Sequence, residues 1–464
     1  MKGFSQQATD LTPCRPADTD TAVIGLDGTK YSYAELHRDA AYLANRIESL
    51  GTSSVAISCK DSGFFAAALI ASVRAKVDVV LLPNHQPGIL LAYREKYDAI
   101  IADHAVPGAL ADDLGPALLE APSPQQPASQ FVPAFNLFGF NIRVTFYTSG
   151  SSGAPKAIAK NMEQLLSEVD SLHTHFLGDP TTHAFAATVS HQHIYGLLFK
   201  IVWPLKTGQY FYRDLVEFPE QLDLLPDNTI LVSSPTFLKR IQDTGTNRRS
   251  AMHIAFSSGG SLTRPEALSA SSILGAPLTE VLGSTETGGI AYRKQTAEGE
   301  SNAWRPFPSV NISQAADGTL GVESPYSGGW QKTEDMIKML SIGHFELLGR
   351  RDRIVKLGEK RLSLTEMERH GNDFILIRDC AVTTVNKGNQ ERVALAAELT
   401  QEGCRVLSIE GKVVVNNMIR KHLSEKFEGV TLPRYFRYVD TLPINPQGKR
   451  VISELDSLFG DRNT

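Results

Sequence analysis

Between Tyr147 and Lys156 the chain reads Tyr-Thr-Ser-Gly-Ser-Ser-Gly-Ala-Pro-Lys, a dense run of hydrogen-bond donors on a permissive backbone. The hydroxyls of Thr148, Ser149, Ser151 and Ser152, the amides around Gly150 and Gly153, and the ammonium of Lys156 suit a polyphosphate. The stretch is not a Walker A sequence, because no Gly-Lys-Ser/Thr closes it. A plain Ser/Gly linker fits poorly: β-favouring Arg143-Val144-Thr145-Phe146 precedes it and a helix signal follows. Asn161 can cap that helix with Gln164 in the reciprocal position, and Met162, Leu165, Leu166, Val169 and Leu172 share one face. The expectation is a phosphate-holding loop between a strand and a helix.

Further stretches follow in a fixed order: Ser258-Gly259-Gly260-Ser261-Leu262, Leu282-Gly283-Ser284-Thr285-Glu286 and Thr333-Glu334-Asp335, then Gly349-Arg350-Arg351-Asp352 and Pro443-Ile444-Asn445-Pro446-Gln447-Gly448-Lys449. Together with the loop, this series resembles the motifs of the adenylate-forming superfamily: acyl- and aryl-CoA synthetases, peptide-synthetase adenylation domains and luciferases. The resemblance implies ATP and Mg²⁺ as cofactors and a carboxylic acid as substrate. It implies that Thr285 binds the α-phosphate, Glu286 the Mg²⁺, Asp335 the ribose hydroxyls, and Arg350 the ribose or α-phosphate. Gly259, Gly260, Leu282 and Gly283 would form the adenine-binding wall, with Ser258 and Gly283 also facing the acid. Lys156 would steady the loop or reach a phosphate. Lys449, by default a solvated surface lysine, becomes the catalytic cation that bridges carboxylate and α-phosphate oxygens where charge concentrates. Asp352 takes the hinge position, and Arg361 aligns at the end of that motif. The sequence departs from the pattern at Leu282 (usually aromatic), Glu334 (usually Gly) and Glu359 (usually Gly), the last of which would narrow a pantetheine tunnel.

His191-Gln192-His193-Ile194-Tyr195-Gly196 resembles the superfamily's acyl-pocket motif, with Ser190 replacing Pro. His193 is read as a pocket-wall residue that orients the carboxylate or gates the thiol tunnel, beside Tyr195 and Gly196. Two histidines at i and i+2 also suit a metal, but no third ligand lies nearby. No Asp occurs between Thr181 and Lys200 to pair with an α-ammonium, which disfavours amino acids and favours an uncharged aryl or alkyl acid. The His193–Phe199 run and the short chain resemble compact ligases of aryl-polyene and xanthomonadin-type pigment pathways. Those enzymes load hydroxybenzoate-like acids onto an acyl carrier protein, so a phosphopantetheinylated carrier protein, or CoA, is the implied acceptor.

The elements that must position these residues alternate strand and helix: a helix over Tyr33–Ile47, a strand over Val55–Ser58, a helix over Gly63–Val73 and a strand over Val77–Leu82. That alternation predicts α/β layers of mostly parallel sheet. Five prolines between Pro116 and Pro133 predict a surface loop. With 464 residues the chain exceeds one core. Residues 350–464 carry 20 Lys+Arg against 16 Asp+Glu, and the preceding 349 residues carry 26 against 35. This break sits at the hinge motif and divides the chain into an N-terminal domain, 1–348, and a small mobile α+β domain, 349–464. The basic excess suits an acidic carrier protein and equally suits nucleotide chemistry by Arg350, Arg351, Arg361 and Lys449. Cys14, Cys59, Cys380 and Cys404 are scattered, so a disulfide framework or zinc site is not expected. Phe64–Val73, the most apolar run, is about half of the ~20 residues that span a bilayer. No membrane or nucleic-acid partner is expected, and the cytoplasm is the expected compartment. Three readings stay open: a carrier-protein ligase, a CoA ligase, and a nucleotide-binding homologue without catalysis.

Overall fold

The structure, a computed structural model, describes residues 17, 19–104, 117–119, 138–149, 155–177, 181–243, 251–295, 303–340, 343–357, 360–387, 390–445 and 450–460. Two sheets dominate the large N-terminal domain. In the six-stranded sheet, Ala117–Leu119, Ala99–Ala102, Ser54–Ser58, Asp78–Leu81 and Arg143–Ser149 run parallel, and Pro155–Asn161 returns antiparallel along the last. The nine-stranded sheet has a parallel centre built from Leu278–Ser284, Ile254–Ser257, Ile230–Ser233, Ala184–Ala187, Tyr210–Leu215 and Thr21–Ile24. Its margins are antiparallel, where Gly288–Lys294 and Lys30–Ser32 pair. Strands such as Ile230-Leu231-Val232-Ser233 are buried along their whole length, as parallel strands covered on both faces must be.

Two sequence expectations are corrected. Ala117–Leu119, inside the expected Pro-rich loop, is an edge strand paired with Ala99–Ile101, because Ala-Leu-Leu interrupts the prolines with apolar residues. The rest of that loop lies outside the described residues. The phosphate loop does not run directly from strand to helix. Arg143–Ser149 and Pro155–Asn161 form a hairpin around residues 150–154, and the helix Met162–Phe176 starts after the return strand. Asn161 caps that helix as expected: its side chain accepts from Gln164 N at 2.8 Å, and Gln164 Oε1 accepts from Asn161 N at 3.0 Å.

The helix Ser62–Ala75 is the centrepiece. Phe65 to Ala71 and Val73 are almost fully buried, so the helix is apolar on nearly every side and must be covered all round. It packs against the Tyr33–Leu50 helix and against strands of both sheets. At its start a polar clasp fastens the chain that follows the Ala184–Ala187 strand. Ser62 Oγ lies 3.0 Å from His191 Nδ1, and Lys200 Nζ donates to Ser62 Oγ at 2.7 Å and to the Asp214 carbonyl at 3.0 Å. His191 Nε2 lies 2.8 Å from the Cys59 carbonyl, which fixes it as the protonated nitrogen and leaves Nδ1 to accept from Ser62. Lys200 sits on a π-helical stretch, Leu197–Val202, and is wholly buried. Burial lowers His191 to about 3 and Lys200 to about 7.

The smaller C-terminal domain has its own buried clusters, made of residues from Leu357 to Phe459, beneath a three-stranded sheet of Ile377–Lys387, Gln390–Leu399 and Tyr435–Tyr438. A four-stranded antiparallel sheet, Asn311–Gln314, Thr319–Glu323, Gln331–Met339 and Phe345–Arg350, precedes these clusters in the chain. Ser363 caps the helix Leu364–Asn372, accepting from Glu366 N at 3.2 Å.

Two outcomes follow from this packing. Leu69→Ala removes a fully buried side chain from the central helix and should cost about 2–5 kcal/mol, read as a lower urea midpoint for the N-terminal domain. Acid should act on His191: its folded pKa lies below the ordinary 6.5, so the unfolded chain binds the extra proton and stability falls as pH drops from 6.5 toward 3. His85, also lowered, adds to the same slope, and the His191 share should vanish in His191→Gln.

Candidate functional site

The turn Thr285–Thr287 joins the strands Leu278–Ser284 and Gly288–Lys294 and stands beside the phosphate hairpin. It is locked internally: Ser284 and Thr287 hydroxyls lie 3.0 Å apart, Thr287 Oγ1 accepts from Ser284 N, and Ser284 Oγ accepts from Thr287 N, both at 3.2 Å. Gly283 is required because a Cβ there would meet the Gly288 carbonyl oxygen at 2.6 Å. Lys156, on the return strand of the hairpin, reaches across so that its Nζ lies 3.2 Å from Glu286 Oε1. The pair is largely exposed and contributes no more than about 1 kcal/mol. Its value is placement: a cation and a carboxylate meet at the loop end of the hairpin. The side chains of Thr148 and Ser149 and all of Gly150, Ser151, Ser152 and Gly153 lie outside the described residues.

Asp335 and Arg350 face each other on neighbouring strands, with Nη1 and Oδ1 3.9 Å apart. Thr333 Oγ1 accepts from Asp335 N at 3.1 Å and donates to the Leu320 carbonyl, which sets the strand locally. The departure at Glu334 has a physical use. Its carboxylate takes Arg351 in a fork of 2.7 and 2.8 Å, and Arg351 also holds Asp317 at 2.9 Å. Lys332 pairs with Asp317 at 2.7 Å and, with Thr319, holds that carboxyl below the usual range. Leu282 is half-buried against the core, so no ring stands at that position. The side chain of Asp352 and the whole of Glu359 lie outside the described residues, as does the Arg361 side chain.

The glycine segment Ser258–Leu262 is held from behind by a buried ion pair. Glu280 takes Arg293 Nε at 2.7 Å and Nη2 at 2.9 Å and accepts Leu262 N at 3.0 Å, while Arg293 Nη2 donates to the Leu262 carbonyl. Ser258 Oγ donates to the Val281 carbonyl at 2.9 Å, which braces the strand ends. Gly259, Gly260 and Arg350 line one cleft of 1810 Å³ between the domains, and so do Ile444 and Arg450, the flanks of segment 446–449. Ile444 and Arg450 are bridged antiparallel, which closes the base of that segment. Lys449 itself lies outside the described residues. Arg450 Nη2 pairs with Asp379 at 2.7 Å, and Asp379 stands 3.9 Å from Lys239 of the large domain, which itself holds Glu266 at 3.0 Å. Thr285, Glu286, Lys156, Asp335, His193 and Tyr195 are not part of this cleft's lining.

The pocket segment resolves the two histidines. His191 spends both ring nitrogens on the clasp and is core, which removes it as a metal ligand. His193 stands at the N-terminal end of the short helix Ile194–Gly196 and stays half-buried, beside Tyr195, whose ring packs on Phe199 at 4.8 Å. Gly196 is demanded by close approach: a Cβ would meet the Ser190 carbonyl oxygen at 2.1 Å. Sequence reasoning missed Lys160 and Glu168, both buried, under the Thr285–Glu286 turn. The available signal was the alternation of the return strand, where Lys160 falls in phase with buried Ile158.

The donor set fits the implied groups. A half-exposed carboxylate at Glu286, beside a loop of hydroxyls and glycines, is the hard oxygen ligand that Mg²⁺ takes together with phosphate oxygens. Cys59, Cys380 and Cys404 are free thiols, and among the described residues no helix is long and apolar enough to cross a membrane. Three comparisons bear on the chain. The family described as AMP-binding enzyme matches residues 13–321, more than half of the chain. Relatives include malpinin synthetase of Mortierella alpina, 24% identical over 91% of the chain, and 4-coumarate–CoA ligase of Cereibacter sphaeroides, 26% identical over 53%. Another is anthranilate–CoA ligase of Pseudomonas aeruginosa, 23% identical over 68% of the chain and 67% of its own length. The chain spans 6% of the malpinin synthetase and 57% of the coumarate ligase. The fold matches a benzoate CoA ligase from Burkholderia xenovorans with TM-score 0.78 at 18% identity, over 94% of this chain and 96% of that one. It also matches ATP-bound MatB from Rhodopseudomonas palustris with TM-score 0.78 at 19% identity, over 96% and 97%. With its motifs in order, its two domains in place and its family signature matched, the chain belongs to the AMP-binding enzyme family of the adenylate-forming superfamily.

Proposed function

We propose that this protein activates a carboxylic acid, aromatic and hydroxybenzoate-like, by adenylation and passes the acyl group to the phosphopantetheine thiol of an acyl carrier protein in the cytoplasm. The observation that carries the first step is the meeting of Lys156 and Glu286 at the loop end of the phosphate hairpin. In that step a carboxylate oxygen of the acid attacks the α-phosphorus of ATP, and the bond to the β-phosphate oxygen breaks to release pyrophosphate. Two anions must approach, so the rate depends on donors placed beforehand. Thr148, Ser149, Ser151, Ser152 and the amides of Gly150 and Gly153 hold the β- and γ-phosphates, with Lys156 at their edge. Thr285 donates to the α-phosphate. Glu286 would hold Mg²⁺, which when bound neutralises phosphate charge. Asp335 accepts from the ribose hydroxyls, Arg350 stands beside it, and Gly259, Gly260, Leu282 and Gly283 flank the adenine. Lys449 supplies the cation between the reacting oxygens; its neighbours Ile444 and Arg450 pair antiparallel and line the cleft that Gly259, Gly260 and Arg350 also line.

In the second step the pantetheine sulfur attacks the acyl carbon, the acyl–phosphate bond breaks and AMP leaves. A boundary between residues 348 and 349, with rotation about Asp352, would let the small domain serve both steps. His193, Tyr195 and Gly196 form the acid pocket. The aromatic reading draws support from the missing Asp in the pocket segment and from the names of the relatives, which act on coumarate, anthranilate and benzoate. The same names favour a second reading in which CoA is the acceptor.

A pyrophosphate-exchange screen over benzoates, cinnamates and fatty acids should respond first to the aryl acids. A response from long-chain fatty acids alone sinks the aromatic reading, and background exchange throughout sinks catalysis. Offering CoA or a holo carrier protein to the responding acid then decides the acceptor by which thioester forms. Lys449→Ala should lower exchange by about 10²–10³-fold or more while sparing thioester formation from supplied acyl-adenylate. Exchange that survives in that variant would remove Lys449 from the chemistry.

A further inference from the structure

Beneath the Thr285–Glu286 turn lie two ionisable side chains that the adenylation scheme leaves unused. Lys160 is 3% exposed, on the return strand of the phosphate hairpin four residues beyond Lys156. Its Nζ donates to the Glu286 carbonyl at 2.6 Å and to the Tyr326 carbonyl at 2.6 Å. Glu168, 4% exposed on the helix Met162–Phe176, accepts from Gly289 N at 2.7 Å. Its other oxygen would meet a Cβ on Gly288 at 2.5 Å, so the carboxylate is pressed against the strand. A cation and a carboxylate thus grip the far end of the turn and the start of the strand that leaves it.

Stability alone does not explain the pair. Taking two charges out of water is expensive, and well-packed apolar residues in their place are commonly as stable or more so. Burial lowers Lys160 and raises Glu168 to about 7, and the charge of each opposes the other's shift. What an ammonium offers here that a leucine cannot is two strong hydrogen bonds to backbone carbonyls, one of them on the residue whose side chain meets Lys156. A carboxylate on a solvent-facing turn samples many positions unless its own backbone is held. Misplacement by about 1 Å in such a site commonly costs orders of magnitude.

We propose that Lys160 is a positioning residue for adenylation: by holding the Glu286 and Tyr326 carbonyls it fixes the turn that presents Thr285 and the Glu286 carboxylate to the nucleotide's phosphates and magnesium. The proposal rests on the adenylation reading. It assigns Glu168 the supporting role of neutralising the buried ammonium and holding Gly289.

The test is calorimetric titration of the full-length protein with ATP, with and without Mg²⁺, alongside thermal unfolding. Two variants are compared with wild type well below their melting temperatures: Lys160→Met, and the neutral double replacement Lys160→Met with Glu168→Gln. The single change strands a buried carboxylate and should lower Tm; the double change removes both charges, keeps an acceptor for Gly289, and should recover most of that loss. Both variants should lose at least about tenfold of the Mg²⁺-dependent gain in ATP affinity, with a smaller loss of Mg²⁺-free affinity from the displaced Thr285. A double variant that recovers Tm and the Mg²⁺-dependent gain together overturns the proposal, since the pair would then be packing only. If Lys160→Met does not fold, the double variant alone decides the matter. Failure of the wild-type protein to bind ATP would instead strike the adenylation reading, and that result is separately visible.

Discussion

A helix with no side free for water forces its surroundings, and Ser62–Ala75 is such a helix. Its apolar girth has to be enclosed, and the enclosure is made by a second helix and strands of both large sheets. Enclosure on every side leaves its first turn as the place where buried polar groups must find partners among themselves. Ser62, His191 and Lys200 do so, and their bonds carry the backbone from the Ala184–Ala187 strand into the pocket segment. The position of His193 and Tyr195 is therefore downstream of a packing requirement set more than a hundred residues earlier. A polar clasp in a dry setting is unforgiving, because any partner lost leaves another group stranded.

The two large sheets deliver chemistry in different ways. The six-stranded sheet ends in a hairpin whose return strand carries Lys156 exposed near the loop and Lys160 buried four residues on in the same phase, so one face of one strand serves two depths of the site. The nine-stranded sheet contributes a tight turn whose geometry is fixed by backbone crowding at Gly283 and by two hydroxyls that bond each other. Neither element is specialised in composition. Their conjunction brings opposite charges to one place without a loop having to reach for it.

Much of this was legible in the sequence, and the reasons differ by element. The amphipathic helices and their caps at Ser363 and Asn161 were readable because capping uses residues a few positions apart. The order of the motifs pointed to the adenylate-forming superfamily, which the family match bears out. The return strand Pro155–Asn161 escaped notice because Lys156 and Lys160 mask its alternation, and a lysine in an inward phase reads as a reason against a strand. Ala117–Leu119 was lost among prolines because three residues carry too little periodicity to be seen. The use of Glu334 was invisible for a different reason. Its partner Arg351 is 17 residues away, and Asp317, the other partner of Arg351, lies farther still from that arginine, so only the antiparallel pairing of strands brings the three together.

Asp379 has two suitors, and they belong to different bodies. Arg450 sits beside the segment that ends in Lys449, whereas Lys239 is rooted in the larger domain and already has Glu266. The closer attachment stays within the small domain, and the one that spans the gap is long, at 3.9 Å, between side chains a quarter or less exposed. Severing it leaves no orphan, because each basic group keeps a carboxylate of its own. If the small domain rotates as proposed, breaking this contact leaves Arg450 on Asp379 and Lys239 on Glu266, so the segment next to Lys449 would keep its brace.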